Sequence, residues 1–138
     1  MIRKKRAYDE IYLWPVFSVY VRLRDIIPGT QGYCRCITCG RMRKWNEGDA
    51  GHGISRGKLA VKYNEKNVHF QCKNCNKWKN GDPINYKIEM NKRYGPNTWD
   101  LLVHAGNQMC KMQKFEWDIL IDLYSMKVRE LKAKHHIK

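Results

Sequence analysis

Four cysteines fall in two pairs of the same spacing, Cys36-x-x-Cys39 in "CITCG" and Cys72-x-x-Cys75 in "CKNCN". Each pair places two thiolates on one side of a tetrahedron. Two pairs complete it around Zn²⁺ at Zn–S distances of about 2.3 Å. Such a site is closed: protein fills every position, so its task is structural, and its binding free energy helps fold the segment that carries it. The other reading is buried free thiols or a redox pair, which a repeated motif in one basic chain makes less attractive. Cys34 is an extra thiol that either replaces Cys36 as a ligand or stands aside, although Cys36–Cys39 has the usual spacing. Cys110 reads as a buried apolar residue on a helical stretch.

Between the two pairs lies "DAGHGISR", residues 49–56. Taken alone it is a glycine-rich turn that holds a histidine. In chain order, however, the first cysteine pair is followed by His52, then Asn67, then the second pair with Asn76 directly attached. This order resembles the HNH, or ββα-metal, endonucleases with an integral zinc site. Their pattern is a histidine on the first strand, a central asparagine, and a histidine or asparagine at the start of the helix. The resemblance implies His52, Asn67 and Asn76 for these positions. The residue types suit the chemistry. Phosphodiester hydrolysis needs an activated water and a cation on the phosphate oxygens. A neutral imidazole takes a proton near neutral pH. Mg²⁺, or Mn²⁺ in its place, accepts oxygen donors such as an asparagine side chain. The zinc would then fix the helix bearing Asn76 against the strand bearing His52.

The run Asp49-Ala50-Gly51-His52 also looks like the Asp-Arg-Gly-His motif of non-specific ββα-metal nucleases, with Ala50 where those carry arginine. That likeness implies His52 as general base and a downstream asparagine as magnesium ligand. Many HNH enzymes carry an acidic ligand directly before the histidine. Gly51 cannot serve, so Asp49 is either a ligand itself or a residue that orients the loop. Asn67 reads as a brace for the loop presenting His52. His69 reads as a partly exposed strand histidine.

A wider resemblance runs from about Phe17 to Leu131. "FSVYVRLRD", "CITCG", "DAGHGISRG", "NVHFQCKNCN", "GDPINYKIEM" and "EWDILIDLYSMKVREL" are similar, in that order, to the phage recombination proteins of the NinG (Rap) family. The resemblance implies a structure-specific endonuclease acting on branched DNA, including Holliday junctions and D-loops, with recombination proteins as possible partners. The chain looks shorter than many members, mainly at the N-terminus. Arg56 matches the Ser-Arg of the family motif. It either meets the scissile phosphate with its planar fork or makes an ordinary backbone contact.

Three segments must position these groups. Residues 1–32 form a basic arm and a helix, in which Pro15 suits a first helical position. Val16, Val19, Tyr20, Leu23 and Ile27 follow at helical spacing, and "PGTQG" ends the element. Residues 33–81 form the zinc-bound core, with short strands at Asp49–Ile54 and Asn67–Gln71 and a helix from Cys72 or Lys73. Residues 82–138 are helical. Asp82 and Asn97 or Thr98 stand as caps, Pro83 as a first residue and Gly95 as a stop. Trp117, Leu120, Ile121, Tyr124, Val128 and Leu131 share one face of the last helix. The terminal "KAKHHIK" reads as frayed, its histidines solvated. The expected fold is α+β: one compact domain in which a small zinc-stabilised ββα-metal core is flanked by N- and C-terminal helices.

Charge sets the partner. The 27 Lys and Arg against 13 Asp and Glu give a net +14 over 138 residues, which suits a polyanion such as DNA. Arg41, Arg43, Lys44 and Arg56 are candidate DNA contacts, with Arg3 to Arg6 and the C-terminal lysines beside them. No apolar run of about 18 residues exists, so no membrane helix is expected. "MIRKKRAYDE" lacks the apolar stretch of a secretory signal, so a cytoplasmic setting in a phage-carrying bacterial host is expected. A homodimer is a further expectation, with the long last helix as its face. Two other functions stay open: a zinc-stabilised DNA-binding module without catalysis, and an HNH nicking enzyme acting on ordinary duplex.

Overall fold

The computed structural model describes residues 3–138. It is a mixed α+β domain in which helices enclose two small antiparallel sheets. Helix α1 (Tyr8–Tyr12) and helix α2 (Trp14–Arg24) follow one another with a break at Leu13. Pro15 causes it, because proline has no N–H for the carbonyl of Ile11 and its ring crowds that carbonyl. The first sheet is the hairpin β1 (Tyr33–Arg35) and β2 (Met42–Lys44), paired Tyr33 to Lys44. The second joins β3 (Asp49–His52) and β4 (Val68–Gln71), with Asp49 opposite Gln71 and His52 opposite Val68. The segment between β3 and β4 carries the one-turn helix α3 (Leu59–Lys62). A π-helical turn, Asn74–Trp78, follows β4. Helices α4 (Pro83–Tyr94), α5 (Thr98–Gly106) and α6 (Lys114–Lys134) complete the chain. No helix among the described residues is long and apolar enough to cross a membrane.

Strands of three and four residues are too short to stand alone, so the helices supply the core. α2 lies between the β3–β4 sheet and α6. Phe17, Tyr20, Val21, Ala50, Val68, Trp117 and Tyr124 meet there. The rings pack edge to face, Phe17 on Tyr124 at 4.8 Å and on Tyr63 at 5.2 Å, an arrangement that adds about 1 kcal/mol per pair beyond burial. A second cluster under α4 and α5 joins Ile54, Val61, Tyr86, Met90 and Leu102. At the start of α6 the Gln113 N–H donates to the Glu116 carboxylate at 2.7 Å, and the Glu116 N–H donates to the Gln113 carbonyl at 3.0 Å.

Several expectations need correction. Strand β3 stops at His52 instead of Ile54. Asp82 sits at the head of α4 in a left-handed conformation (φ 47°) and caps no N–H; its carboxylate accepts instead from the Asn85 amide. Asn97 precedes α5 but caps nothing, since Asn91 of α4 takes the Trp99 N–H at 2.9 Å. The chain end is not frayed. His136, in the left-handed region, lets the N–H groups of His136 and Ile137 return to the carbonyls of Ala133 and Lys132, a Schellman closure. Ile137 then packs against the cluster of Leu23, Ile26, Cys34 and Phe70. Cys110 is half-exposed in the non-helical link before α6. His69 is buried, bonded to the hydroxyls of Tyr86 and Tyr94. Trp117 and Tyr124 of α6 pack into the core with α2, while Phe115, Ile119 and Met126 of the same helix stay exposed.

One buried ion pair anchors α1. The Lys62 ammonium is 6% exposed and meets Asp9 at 2.5 Å and also Glu10, while the Tyr63 hydroxyl donates to Asp9 at 2.7 Å. Removing one partner leaves a buried charge poorly compensated. Asp9→Ala is therefore expected to lower the unfolding free energy by about 3 kcal/mol in a denaturant titration. Glu89→Ala, which breaks the half-exposed pair Arg93–Glu89, should move it by less than about 0.5 kcal/mol.

Candidate metal centre and cleft

The four paired cysteines converge. The Sγ atoms of Cys36, Cys39, Cys72 and Cys75 all lie within 4.8 Å of one another, and Cys39 and Cys72 are 3.7 Å apart. A zinc tetrahedron with bonds of about 2.3 Å has edges of about 3.8 Å. The donor set therefore fits Zn²⁺ with little adjustment. Local structure explains the fit. After Cys39 the chain must turn sharply, and Gly40 supplies φ 75°. The Cys36 N–H bonds to the Arg41 carbonyl, and the Cys75 N–H points at the Cys72 sulfur. Burial works against ionising Cys36, but N–H donors from Cys39 and the Thr38 hydroxyl outweigh it and hold the thiol down to about 6. Cys75 is pushed up by burial and by its neighbouring thiols. Ionising all four thiols at one point would require a cation. Cys34 stands aside: it is buried against Leu23, Ile26 and Phe70, and burial pushes its thiol up to about 12.

Beside the cluster, a cleft follows β3, whose outer edge pairs with no other strand among the described residues. It consists of two adjoining hollows of about 400 and 350 Å³ that share Ala50, Arg56 and Asn76. Trp14, Arg22, Asp49 and Lys73 line the first. His52, Ser55 and Asn80 line the second. His52, Asn76, Asp49 and Arg56 are thus brought together. Asn67 is not: it is fully buried below the loop, taking the Ile54 N–H at 2.6 Å and donating to the carbonyls of Ile54 and Val61 at 3.1 Å. Its position is that of a brace. Arg41, Arg43 and Lys44 lie exposed on the β1–β2 hairpin and line neither hollow.

Each cleft residue has a defined environment. His52 Nε2 lies 2.8 Å from the Lys62 carbonyl. A carbonyl only accepts, so Nε2 carries the proton and Nδ1 keeps its lone pair. The ring stacks on Trp14 at 5.0 Å and 27°. Burial drives the His52 pKa down to about 4, leaving the imidazole neutral at pH 7. Burial alone would raise Asp49. The Asn76 amide (3.0 Å) and the Lys73 ammonium (2.9 Å) outweigh it and hold the carboxyl below the ordinary range. Arg56 lies 4.4 Å over the Trp14 ring and is paired with Glu10 of α1. These contacts close a ring: His52 to the Lys62 carbonyl, Lys62 to Glu10, Glu10 to Arg56, Arg56 to Trp14, and Trp14 back to His52. Lys62, Glu10 and Trp14 carried no motif that could have singled them out. Gly51 must be glycine, since a Cβ there would stand 2.1 Å from the Gln71 amide oxygen.

The arrangement sets four converging thiols, which could hold a structural metal, beside an open, cationic cleft that holds a neutral imidazole, the Asp49 carboxylate and the Asn76 amide. A family model described as the bacteriophage lambda NinG protein matches residues 2–134. Protein ninG of Escherichia phage lambda is 30% identical over 139 residues, covering 94% of this chain and 60% of the relative. Protein ninG of Escherichia phage 933W is 33% identical, with 76% and 49% covered. That of Salmonella phage P22 is 33% identical, with 67% and 42% covered. The chain thus spans between 42% and 60% of the length of these relatives. No solved structure matches.

Purified protein is expected to hold one zinc per chain by elemental analysis. Cys72→Ser should lose the metal and the far-UV signature of the hairpin and turn; a metal-free, fully folded variant would contradict the closed centre. Acid should destabilise the fold. Burial lowers His52 to about 4 and His69 to about 3, both below the ordinary 6.5. Below pH 6.5 the unfolded chain binds protons that the folded chain refuses, so stability falls as pH drops from 6.5 toward 4. The denaturation midpoint should decline over that window, and His52→Gln should flatten the decline.

Proposed function

The chain belongs to the NinG family of bacteriophage lambda, and on that footing we propose that it is a metal-dependent DNA endonuclease of the HNH, or ββα-metal, type. Its substrates on this reading are branched recombination intermediates such as Holliday junctions and D-loops. The observation that carries the reading is the His52 geometry. The Lys62 carbonyl fixes the tautomer, Trp14 fixes the ring plane, and Nδ1, unbonded among the described residues, belongs to a residue that lines the same cleft as Asn76 and Arg56. An antiparallel strand pair followed by a helical turn with Asn76 in its middle supports the ββα assignment.

In this mechanism His52 Nδ1 takes the proton of the attacking water. The charge that forms on the ring is shared with the Lys62 carbonyl through Nε2–H. Trp14 holds the ring against rotation as the proton moves. Arg56 leaves the Glu10 carboxylate for the phosphate of the substrate, and its fork allows two parallel hydrogen bonds there. Asp49 through its carboxylate, and Asn76 through its amide oxygen once that amide turns from donating to Asp49, would hold Mg²⁺ or Mn²⁺; Lys73 now supplies the positive charge at Asp49. The bound cation would neutralise charge building on the phosphate oxygens.

A non-catalytic DNA-binding module is the second reading. The exposed Arg41, Arg43 and Lys44 away from the cleft favour it. Cleavage of a four-way junction, a flap, a D-loop and a linear duplex, each with and without Mg²⁺, separates the readings. His52→Ala is expected to reduce junction cleavage by about 10²–10⁴-fold, with zinc content and DNA binding retained. Equal cleavage by the variant would remove His52 as general base. No cleavage of any substrate by the parent protein would leave the binding module.

A further inference from the structure

Two arginines stand two residues apart on α2 and have opposite surroundings. Arg24 is fully engaged: its fork meets both oxygens of Asp25, and its nitrogens reach the carbonyls of Glu65 and Val68. That arrangement ties α2 to β4. Arg22 is half-buried and meets only backbone carbonyls, Nε to Ser18 and Nη1 to Trp45, each at 3.2 Å. Its guanidinium lies 5.5 Å over the Trp45 ring. Among the described residues it pairs with no carboxylate, and Nη2 makes no hydrogen bond. Burial weakens its hold on the proton, with Asp49 only partly compensating.

A half-buried guanidinium without a counter-ion is costly unless something outside the chain completes it. Its surroundings say what that is. Arg22 lines the first hollow of the cleft with Ser18, Asn46, Lys73 and Arg56. The Ser18 hydroxyl and the Asn46 amide have no hydrogen bond within the protein among the described residues, so both remain available to a ligand. Among the described residues, Asp49 is the one carboxylate in that lining, against three cations. The carbonyl contacts and the Trp45 ring hold the guanidinium in place before any ligand arrives, which limits the ordering cost of binding.

We infer that Arg22, with Ser18 and Asn46 beside it, forms a phosphate subsite at the far end of the cleft and receives a backbone phosphate neighbouring the one that Arg56 binds. This deepens the nuclease reading by giving the DNA strand a path: along the strand edge, from His52 and Arg56 past Asp49 to Arg22. It does not need cleavage to be true, because a binding module would use the same subsite.

The test is binding without added divalent cation, by fluorescence anisotropy of a labelled four-way junction and a short labelled duplex over a salt series. Arg22→Gln keeps an amide that can still donate to the carbonyls of Ser18 or Trp45. Arg22→Lys keeps the charge. Arg22→Gln is expected to weaken binding about tenfold and to reduce the slope of log affinity against log salt by about one. Arg22→Lys should keep the slope. Circular dichroism and zinc content serve as the folding check on both. Unchanged affinity and slope in folded Arg22→Gln overturn the subsite. So does an equal loss in both variants, which would mean that the charge is not what is read. Loss of binding in Arg22→Gln, with a parent protein that cleaves nothing, would sink the nuclease reading and leave the subsite standing.

Discussion

The convergence of four sulfur atoms decides how the middle of this chain is arranged. The β1–β2 hairpin has three residues per strand, and the turn after β4 has five. Neither buries enough apolar surface to hold its place. The cluster ties the hairpin to the end of β4 and to the turn in one step, because two of its ligands come from each side. The turn that carries Cys75 also carries Asn76, and Asn76 reaches Asp49 across the strand edge. The sulfur cluster thus sets the spacing of Asp49 and Asn76, although it shares no atom with them.

A second constraint acts from the opposite side of the cleft. Lys62 uses its backbone to hold His52 and its side chain to hold α1. A buried ammonium between two carboxylates contributes little net stability over an apolar substitute. What it supplies here is position: α1 can dock only where Asp9 and Glu10 meet Lys62, and that docking brings Glu10 to Arg56. Trp14, at the start of α2, completes the arrangement by meeting both Arg56 and His52.

The legible parts of this structure are those written locally. The cysteine spacing declares itself, and so does the order that sets His52 between the two pairs. Pro83, Gly95 and the apolar face of α6 stand where the sequence places them. What stays hidden depends on distant partners. Trp99 takes its cap from Asn91 on another helix, so Asn97 and Thr98 mislead. His69 looks like a surface residue until Tyr86 and Tyr94 of α4 close over it. α1 escapes notice because Pro15 reads as a beginning, with nothing helical before it. Lys62 looks like any basic surface residue, and its burial follows only from α1 folding back. Arg22 hides in the same way, since nothing in "YVRLRD" separates the arginine that is satisfied from the one that is not.

Strand β3 leaves one side of its backbone without a partner strand. In most soluble proteins such a border is a hazard, because a second molecule can add its own strand there and start a chain of self-association. Here the border is guarded by like charge. Arg22, Arg56 and Lys73 stand along it, on a chain whose net charge is +14. Two copies brought border to border would face one another with the same sign. The same few cations thus give the opening its positive sign and set like charge against like along the free border.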